Sequence, residues 1–395
     1  MYDGAAWGTG RRAMSRAPTI GLIMTGGGAR AAYQVGVLRA LSELLPRNVR
    51  GPFPIICGTS AGAINAAVLA ADAGDFRRAV RRLMTVWKNF HVHHVYRADP
   101  LGAAHNSLRW MFTVLTGGAF ARSPVSLLDN SPLVALVGRH LDFSSIGTSI
   151  ERGDLSAFSV TCSGYSSGQS VTFFQGSAGL QSWKRARRIG IATPIALEHV
   201  IASSALPFIF PPVHINREYF GDGSMRQIAP VSPALHLGAN RLLVIGVGRQ
   251  LGGRVAERTR AESHPSLAQI AGHALNSIFL DTLESDLERL QRINRTIELI
   301  PGEVLEQTGY PLQHVEFRVI SPSVELEQIA ARHAGDLPRT IRLLLSTVGA
   351  TRQGGSNLLS YLLFEKSYCR ALIQLGYQDT MARRDDLLTF LGCVH

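Results

Sequence analysis

The feature that most constrains this chain is a unit that occurs twice near its start: a short apolar run, a glycine-rich turn and a helix. In the first copy, Ile20 to Met24 precedes Gly26-Gly27-Gly28-Ala29-Arg30, and Val35, Leu38, Leu41 and Leu45 then recur at helical spacing until Pro46. In the second, Phe53 to Cys57 precedes Gly58-Thr59-Ser60-Ala61-Gly62, and small residues carry a helix from Ala61 to about Ala73. A strand that turns tightly into a helix puts that helix on a face of the sheet. Two such units therefore predict neighbouring strands with helices on their faces, an α/β protein.

Further strands are predicted at Ala157 to Cys162, at Ser170 to Phe174 after the turn Ser166-Ser167-Gly168, and at Leu242 to Val247. Between them, residues 89–145 read as an irregular helical insertion. Its apolar cluster, Leu108, Trp110, Met111, Phe112, Val114 and Leu115, is either a lipid-facing cap or a surface packed on the body. From about Gly252 the pattern changes. A long amphipathic helix is predicted near Leu267 to Arg292, strand-like segments at Thr296 to Ile300 and Val315 to Ile320, and helices near Leu337 to Val348 and Asn357 to Leu375.

With 395 residues, 46% of them hydrophobic, the chain can bury a full core. Forty Lys and Arg against 29 Asp and Glu give a net charge of +11, which favours anionic partners such as a phospholipid surface or nucleic acid. The densest basic cluster, Lys184, Arg185, Arg187 and Arg188, lies beside Trp183 without the fingerprint of a nucleic-acid fold and reads as a solvated helix face in preference to a dedicated anion site. No nucleic-acid partner is expected. Cys57, Cys162, Cys369 and Cys393 are far apart, with neither a CxxC pair nor metal-ligand spacing, which fits a reducing compartment and no metal. Arg11, Arg12 and Arg16 are followed by no apolar stretch of signal-peptide type, and no run of 18 apolar residues is present. A cytoplasmic location, with peripheral contact to anionic membranes, is the expectation.

The strongest chemical signal is Gly58-Thr59-Ser60-Ala61-Gly62, a G-x-S-x-G pattern between a predicted strand and a predicted helix. Such a turn exposes a serine hydroxyl at the carboxyl edge of a sheet and at the positive end of a helix. The loop Gly26-Gly27-Gly28 can turn successive N–H groups toward one negative oxygen, with Arg30 adding charge nearby. Gly26, Gly28 and Ala31 also satisfy a dinucleotide fingerprint, which requires an acidic residue about 20 positions on. Here the second strand leads into the serine turn instead, which counts against a nucleotide site. For a base, thirteen histidines are available, among them His199, His214 and the group His91, His93, His94, none with a partner pattern. The alternative is Asp222 in Phe220-Gly221-Asp222-Gly223-Ser224, a glycine-flanked acid that could also be only a turn.

These pieces, in this order, resemble the patatin-like phospholipases. The resemblance implies that Gly26, Gly27, Gly28 and Arg30 form the oxyanion-binding loop and that Ser60, between Gly58 and Gly62, is the nucleophile. It implies that Asp222, followed by Gly223, is the base of a Ser-Asp dyad without histidine or cofactor. The segment Ala202 to Pro212 also looks like the family's stretch ahead of the acid. Ala31 and Ser224 depart from the pattern, both by small residues. The match covers roughly Thr19 to Gly248. The expected architecture is a three-layer fold with a central, mostly parallel sheet flanked by helices, and a mainly helical C-terminal extension. The expected layout is a tail over residues 1–18, a catalytic domain over 19–248 with its insertion at about 89–145, and the extension over 249–395. The implied activity is acyl-ester hydrolysis of phospholipids. Transfer of the same acyl group, or lipid or partner binding without catalysis, are the alternatives.

Overall fold

The computed structural model describes residues 19–97, 126–249, 264, 266–301, 304–305, 312–347, 349–350 and 355–393. The apolar cluster of residues 108–115 lies outside these residues.

Among the described residues, ten strands form one mixed sheet. They are β1 (Ile20–Met24), β2 (Ile55–Thr59), β3 (Ala157–Gly164), β4 (Ser170–Gly176), β5 (Trp183–Arg185), β6 (Arg188–Ala192), β7 (Val213–Ile215), β8 (Glu218–Asp222), β9 (Arg241–Ile245) and β10 (Glu316–Ile320). The order is β10-β9-β1-β2-β3-β4-β6-β5, with β8 on β3 and β7 on β8. From β10 to β3 every pairing is parallel. Such strands are covered on both faces, which is why β1 reads as a continuous apolar run with all five residues buried.

Alternate residues serve two cores. Leu22, Met24, Ile56, Leu243 and Ile245 join a core shared with helices α1 (Ala32–Leu44), α2 (Ala61–Ala71) and α3 (Phe76–Lys88). Ile23, Ile55, Cys57, Leu242 and Val244 join a second core with Leu237 and with Leu283, Leu287 and Leu290 of the helix Thr282–Glu298. Helices on both faces of a mostly parallel sheet give three layers. The residues after 264 are mainly helical, contribute β10, and lay the helix Lys366–Met381 across α1, where Gly36 meets the Ile373 carbonyl and Gly376 that of Tyr33.

Four local expectations are corrected. Thr296 to Ile300 is no strand: its first three residues end the helix Thr282–Glu298, whose Leu290, Asn294 and Ile297 are buried on one face. Of its β-branched residues, Ile297 belongs to that buried stripe, while Thr296 is exposed. Lys184, Arg185 and Arg188 lie on the paired strands β5 and β6, of which β5 is the sheet edge, with Arg187 in left-handed backbone at φ 58° between them, so this basic cluster is a hairpin and not a helix face. The segment Asn357 to Leu375 is broken into Ser356–Leu362 and Lys366–Met381. The strand expected from Phe53 begins at Ile55, two residues later.

Helix α3 is amphipathic. Asp75 caps it by accepting from the Arg78 amide at 2.9 Å, and Phe76, Ala79, Val80, Leu83 and Trp87 are buried at helical spacing. It runs antiparallel to α2. Trp87 Nε1 donates to Asn65 Oδ1 near the start of α2, and Arg78 donates to Asp72 at its end.

Candidate active site

Ser60 is the residue between β2 and α2. Its backbone, at φ 55° and ψ −132°, is a conformation that residues with a side chain rarely adopt. The turn closes because α2 begins almost in contact with β1. A Cβ on Gly62 would stand 2.4 Å from the Met24 carbonyl oxygen and 2.5 Å from that of Thr25. Gly62→Ala is therefore expected to cost about 3 kcal/mol of stability, as overpacking against backbone does. Chemical denaturation measures it, and a cost below about 0.5 kcal/mol, the level of a neutral surface change, would show that the turn has room.

The register of β3 accounts for how Asp222 reaches Ser60. On one edge β3 carries β4 throughout. On the other it carries two strands end to end, with Thr59 of β2 opposite Thr161 and Asp222 of β8 opposite Cys162. β2 and β8 approach from opposite directions, so their carboxyl ends meet at adjacent positions of β3. There the Ser60 hydroxyl donates to Asp222 Oδ2 at 2.5 Å, while Asp222 Oδ1 accepts from the Ser224 amide at 2.9 Å. Asp222 is fully buried. Burial pushes its carboxyl from 3.8 up to about 6, against the opposing effect of the hydrogen bonds from Ser60 and Ser224. A serine hydroxyl already hydrogen-bonded to a carboxylate of raised basicity can hand over its proton without a third residue.

The glycine loop borders this pair. A Cβ on Gly26 would lie 2.8 Å from Ser60 Cβ and 2.6 Å from Ser224 Oγ, so only a residue without a side chain fits there. The amides of Gly26, Gly27 and Gly28 donate to no described residue. Gly28 lines the same cavity as Ser60 and abuts the Tyr361 carbonyl. Arg30, expected to lend charge to the loop, is buried and turned to the C-terminal helices. Its Nε donates to Ser360 Oγ at 2.8 Å, its guanidinium lies 4.0 Å from the Tyr361 ring centroid, and Glu327 is 3.8 Å away. These contacts tie the glycine loop to the C-terminal region.

The histidines stand elsewhere. His199 Nδ1 accepts from the Ala196 amide, the His214 ring packs on Tyr219, and His91 Nδ1 lies 2.8 Å from Glu365. None of these contacts involves Ser60.

Two supports carry no signature in the sequence. Ser203, fully buried in the helix Leu197–Ser203, accepts from the Ser60 amide at 2.9 Å and donates to the Thr161 carbonyl at 2.6 Å. It lies in the Ala202 to Pro212 stretch, where nothing separates it from Ser204. A second chain runs from Trp87 to Asn65, from Asn65 to Gln34 Oε1 at 3.0 Å, and from Gln34 to the Thr25 carbonyl at 2.8 Å. It fixes the strand end that leads into the glycine loop.

Ser60 opens into an apolar cavity of about 400 Å³, within the size range of small-molecule sites. Ser60, Ile64 and Val68 line it at four-residue intervals along α2, and Leu83, Val86 and Trp87 face them from α3. Leu133, Val137, Leu206 and Phe210 close other sides. Arg78, Arg81 and Arg82 stand at the end remote from Ser60, level with the end of α2.

A family model described as patatin-like phospholipase matches residues 22–235. The lysophospholipase nte1 of Aspergillus terreus (strain NIH 2624 / FGSC A1156) is 40% identical over 76 residues, 18% of this chain and 5% of that protein. Human GIVD cytosolic phospholipase A2 aligns over 95% of this chain and 60% of its own, at 13% identity and a TM-score of 0.44. VipD from Legionella pneumophila aligns over 94% and 67%, at 12% identity and a TM-score of 0.35. The chain thus spans a small part of the curated relative and under two thirds of the human enzyme. The family match covers more than half of the sequence and includes the glycine loop, the serine turn and Asp222, so the chain belongs to the patatin-like phospholipases.

Proposed function

We propose that the chain is a lipid acyl hydrolase of phospholipase A or lysophospholipase type, working through Ser60 and Asp222. The observation that carries this is the 2.5 Å contact between the Ser60 hydroxyl and a fully buried Asp222, at the end of an apolar cavity. An acyl chain lies along Ile64 and Val68, which sets its ester carbonyl at Ser60. Ser60 Oγ bonds to the carbonyl carbon as its proton passes to Asp222, and the carbonyl electron pair moves onto oxygen, facing the Gly26, Gly27 and Gly28 amides. Collapse of that intermediate breaks the ester bond, and the proton on Asp222 goes to the departing alcohol or lysolipid. Water, losing a proton to the same carboxylate, then releases the fatty acid. Binding of the apolar chain rests on roughly 0.8 kcal/mol per buried methylene. The net charge of +11 favours work at the surface of anionic membranes.

The test is product analysis with phosphatidylcholine vesicles and with a lysophospholipid. Free fatty acid in step with lysolipid or glycerol-phosphate ester is the expected result. Acyl groups recovered only on an added alcohol would make the protein a transferase, and no turnover would leave a binding protein.

The lining also sets chain length. Val68 lies eight residues from Ser60, about 12 Å along the helix axis. Val68→Phe is expected to lower kcat/KM for long-chain esters by about tenfold or more while short-chain esters change by less than about twofold. Equal losses for both would mean that the chain does not run along α2.

A further inference from the structure

Beyond the remote end of the apolar cavity lies a second cavity of about 800 Å³ with a different character. It is lined by Arg47, Arg50, Arg77, Arg78, Arg81 and Arg152, opposed by Asp72, Asp75 and Asp154. Arg78 and Arg81 border both cavities.

The acids are largely committed to the fold. Asp72 accepts from Arg78 and Arg82, and Asp75 caps α3. Arg77 is committed as well, since its guanidinium donates to the carbonyls of Leu45, Pro46 and Arg47 and shapes one wall. Arg47, Arg50, Arg81 and Arg152 differ. All four are exposed, and their guanidinium groups bond to no described residue. Four free guanidinium groups around one concavity, on three separate segments, concentrate positive potential and offer forked donors that match phosphate oxygens.

Distance separates this basin from the ester chemistry. α2 spans the interval from Ser60 to Asp72, about 18 Å of helix. In a glycerophospholipid the phosphate is only a few bonds from the ester carbonyl, so a substrate held at Ser60 cannot also set its own phosphate in the basin.

We propose that this arginine basin is a second binding site, for a phosphate group carried by a molecule other than the one being cleaved. The bearer is either the headgroup of a neighbouring anionic lipid, which would seat α3 on a membrane, or a free phosphorylated compound. That the bearer is not the cleaved molecule rests on the role proposed for Ser60, whereas binding at the basin is read without turnover.

The test uses the full chain and three proteins: wild type, the basin variant Arg47→Gln/Arg50→Gln/Arg152→Gln, and the charge-matched control Arg289→Gln/Arg292→Gln/Arg295→Gln, whose residues are exposed on the helix Thr282–Glu298. One arm measures sedimentation with phosphatidylcholine vesicles with and without phosphatidylglycerol. The other measures pyrophosphate binding by calorimetry. The basin variant is expected to bind at least one probe about tenfold or more weakly than both wild type and control, because each arginine near an anionic surface adds to the attraction. Loss confined to the phosphatidylglycerol vesicles assigns the site to a lipid headgroup, loss confined to pyrophosphate assigns it to a free ligand, and loss of both fits one site for either. Binding that is absent in wild type, unchanged in the basin variant, or equally reduced in the control overturns the proposal. Thermal melts of each protein report folding, and Arg152→Gln alone carries the comparison if the triple variant melts early.

Discussion

Replacing Ser60 by alanine is expected to lower kcat/KM toward acyl esters by about ten-thousandfold or more, because the attacking oxygen is gone and the remaining groups only bind. The backbone provides a control that a merely structural serine would not pass. Ser60 is held at φ 55° and ψ −132°, where glycine is at ease and a Cβ is strained. Ser60→Gly is therefore expected to be as inactive as Ser60→Ala, yet more stable than it by about 1 kcal/mol, the lower end of what such strain costs. Steady-state kinetics and denaturant melts of the two variants read both effects. Residual turnover above about a tenth of wild type in either variant, far beyond what binding and oxyanion donors alone supply, would remove Ser60 from the chemistry.

Asp222→Asn is expected to lower kcat by about a thousandfold, the range of a lost general base. It is also expected to stabilise the fold near neutral pH. The carboxyl titrates near 3.8 when unfolded and at about 6 when folded, so the folded state holds its proton more tightly. The stability this group supplies is complete below about 3.8 and is lost as pH rises through about 6, leaving a buried carboxylate at pH 7. At 1.36 kcal/mol per pH unit the gap amounts to about 3 kcal/mol. Asparagine keeps the shape without the charge. The stability advantage of Asp222→Asn should therefore be largest near pH 7 and shrink toward zero as pH falls to about 4. In the wild type the same group is expected to give kcat/KM an acidic limb, with activity falling below about pH 6 as the carboxylate is protonated. A limb near pH 4, or an advantage that persists at pH 4, would mean that the carboxyl is not held as the burial implies.

The two strand–turn–helix units were legible because local rules fix them: β1 is apolar throughout, Gly62 admits the close approach of α2, and Pro46 follows α1 closely. The family resemblance at the glycine loop, the serine turn and the glycine-flanked acid was legible for the same reason, since each is a short run of consecutive residues. What brings Ser60 beside Asp222 was not. That depends on β2 and β8 sharing one edge of β3, a pairing between residues 162 positions apart that no periodicity records. Ser203 and the chain Trp87–Asn65–Gln34 were invisible because a buried side chain that holds a backbone group carries no pattern of its own. Helix α3 has a clear amphipathic stripe, but its arginine-rich face gains meaning only from the two cavities that the fold sets beside it. The misread segment at Thr296 to Ile300 marks the usual ambiguity of short apolar runs, resolved by a buried Asn294 that holds both backbone groups of Val315.

The most direct measurement is intact-protein and peptide mass spectrometry after treatment with a long-chain fluorophosphonate ester. A hydroxyl activated by its neighbouring carboxylate should yield a single adduct on the peptide containing Ser60, formed quickly in wild type and far more slowly in Asp222→Asn. An adduct on any other residue, or labelling of Ser60 at the same rate in both proteins, would contradict the assignment of these two side chains as nucleophile and base.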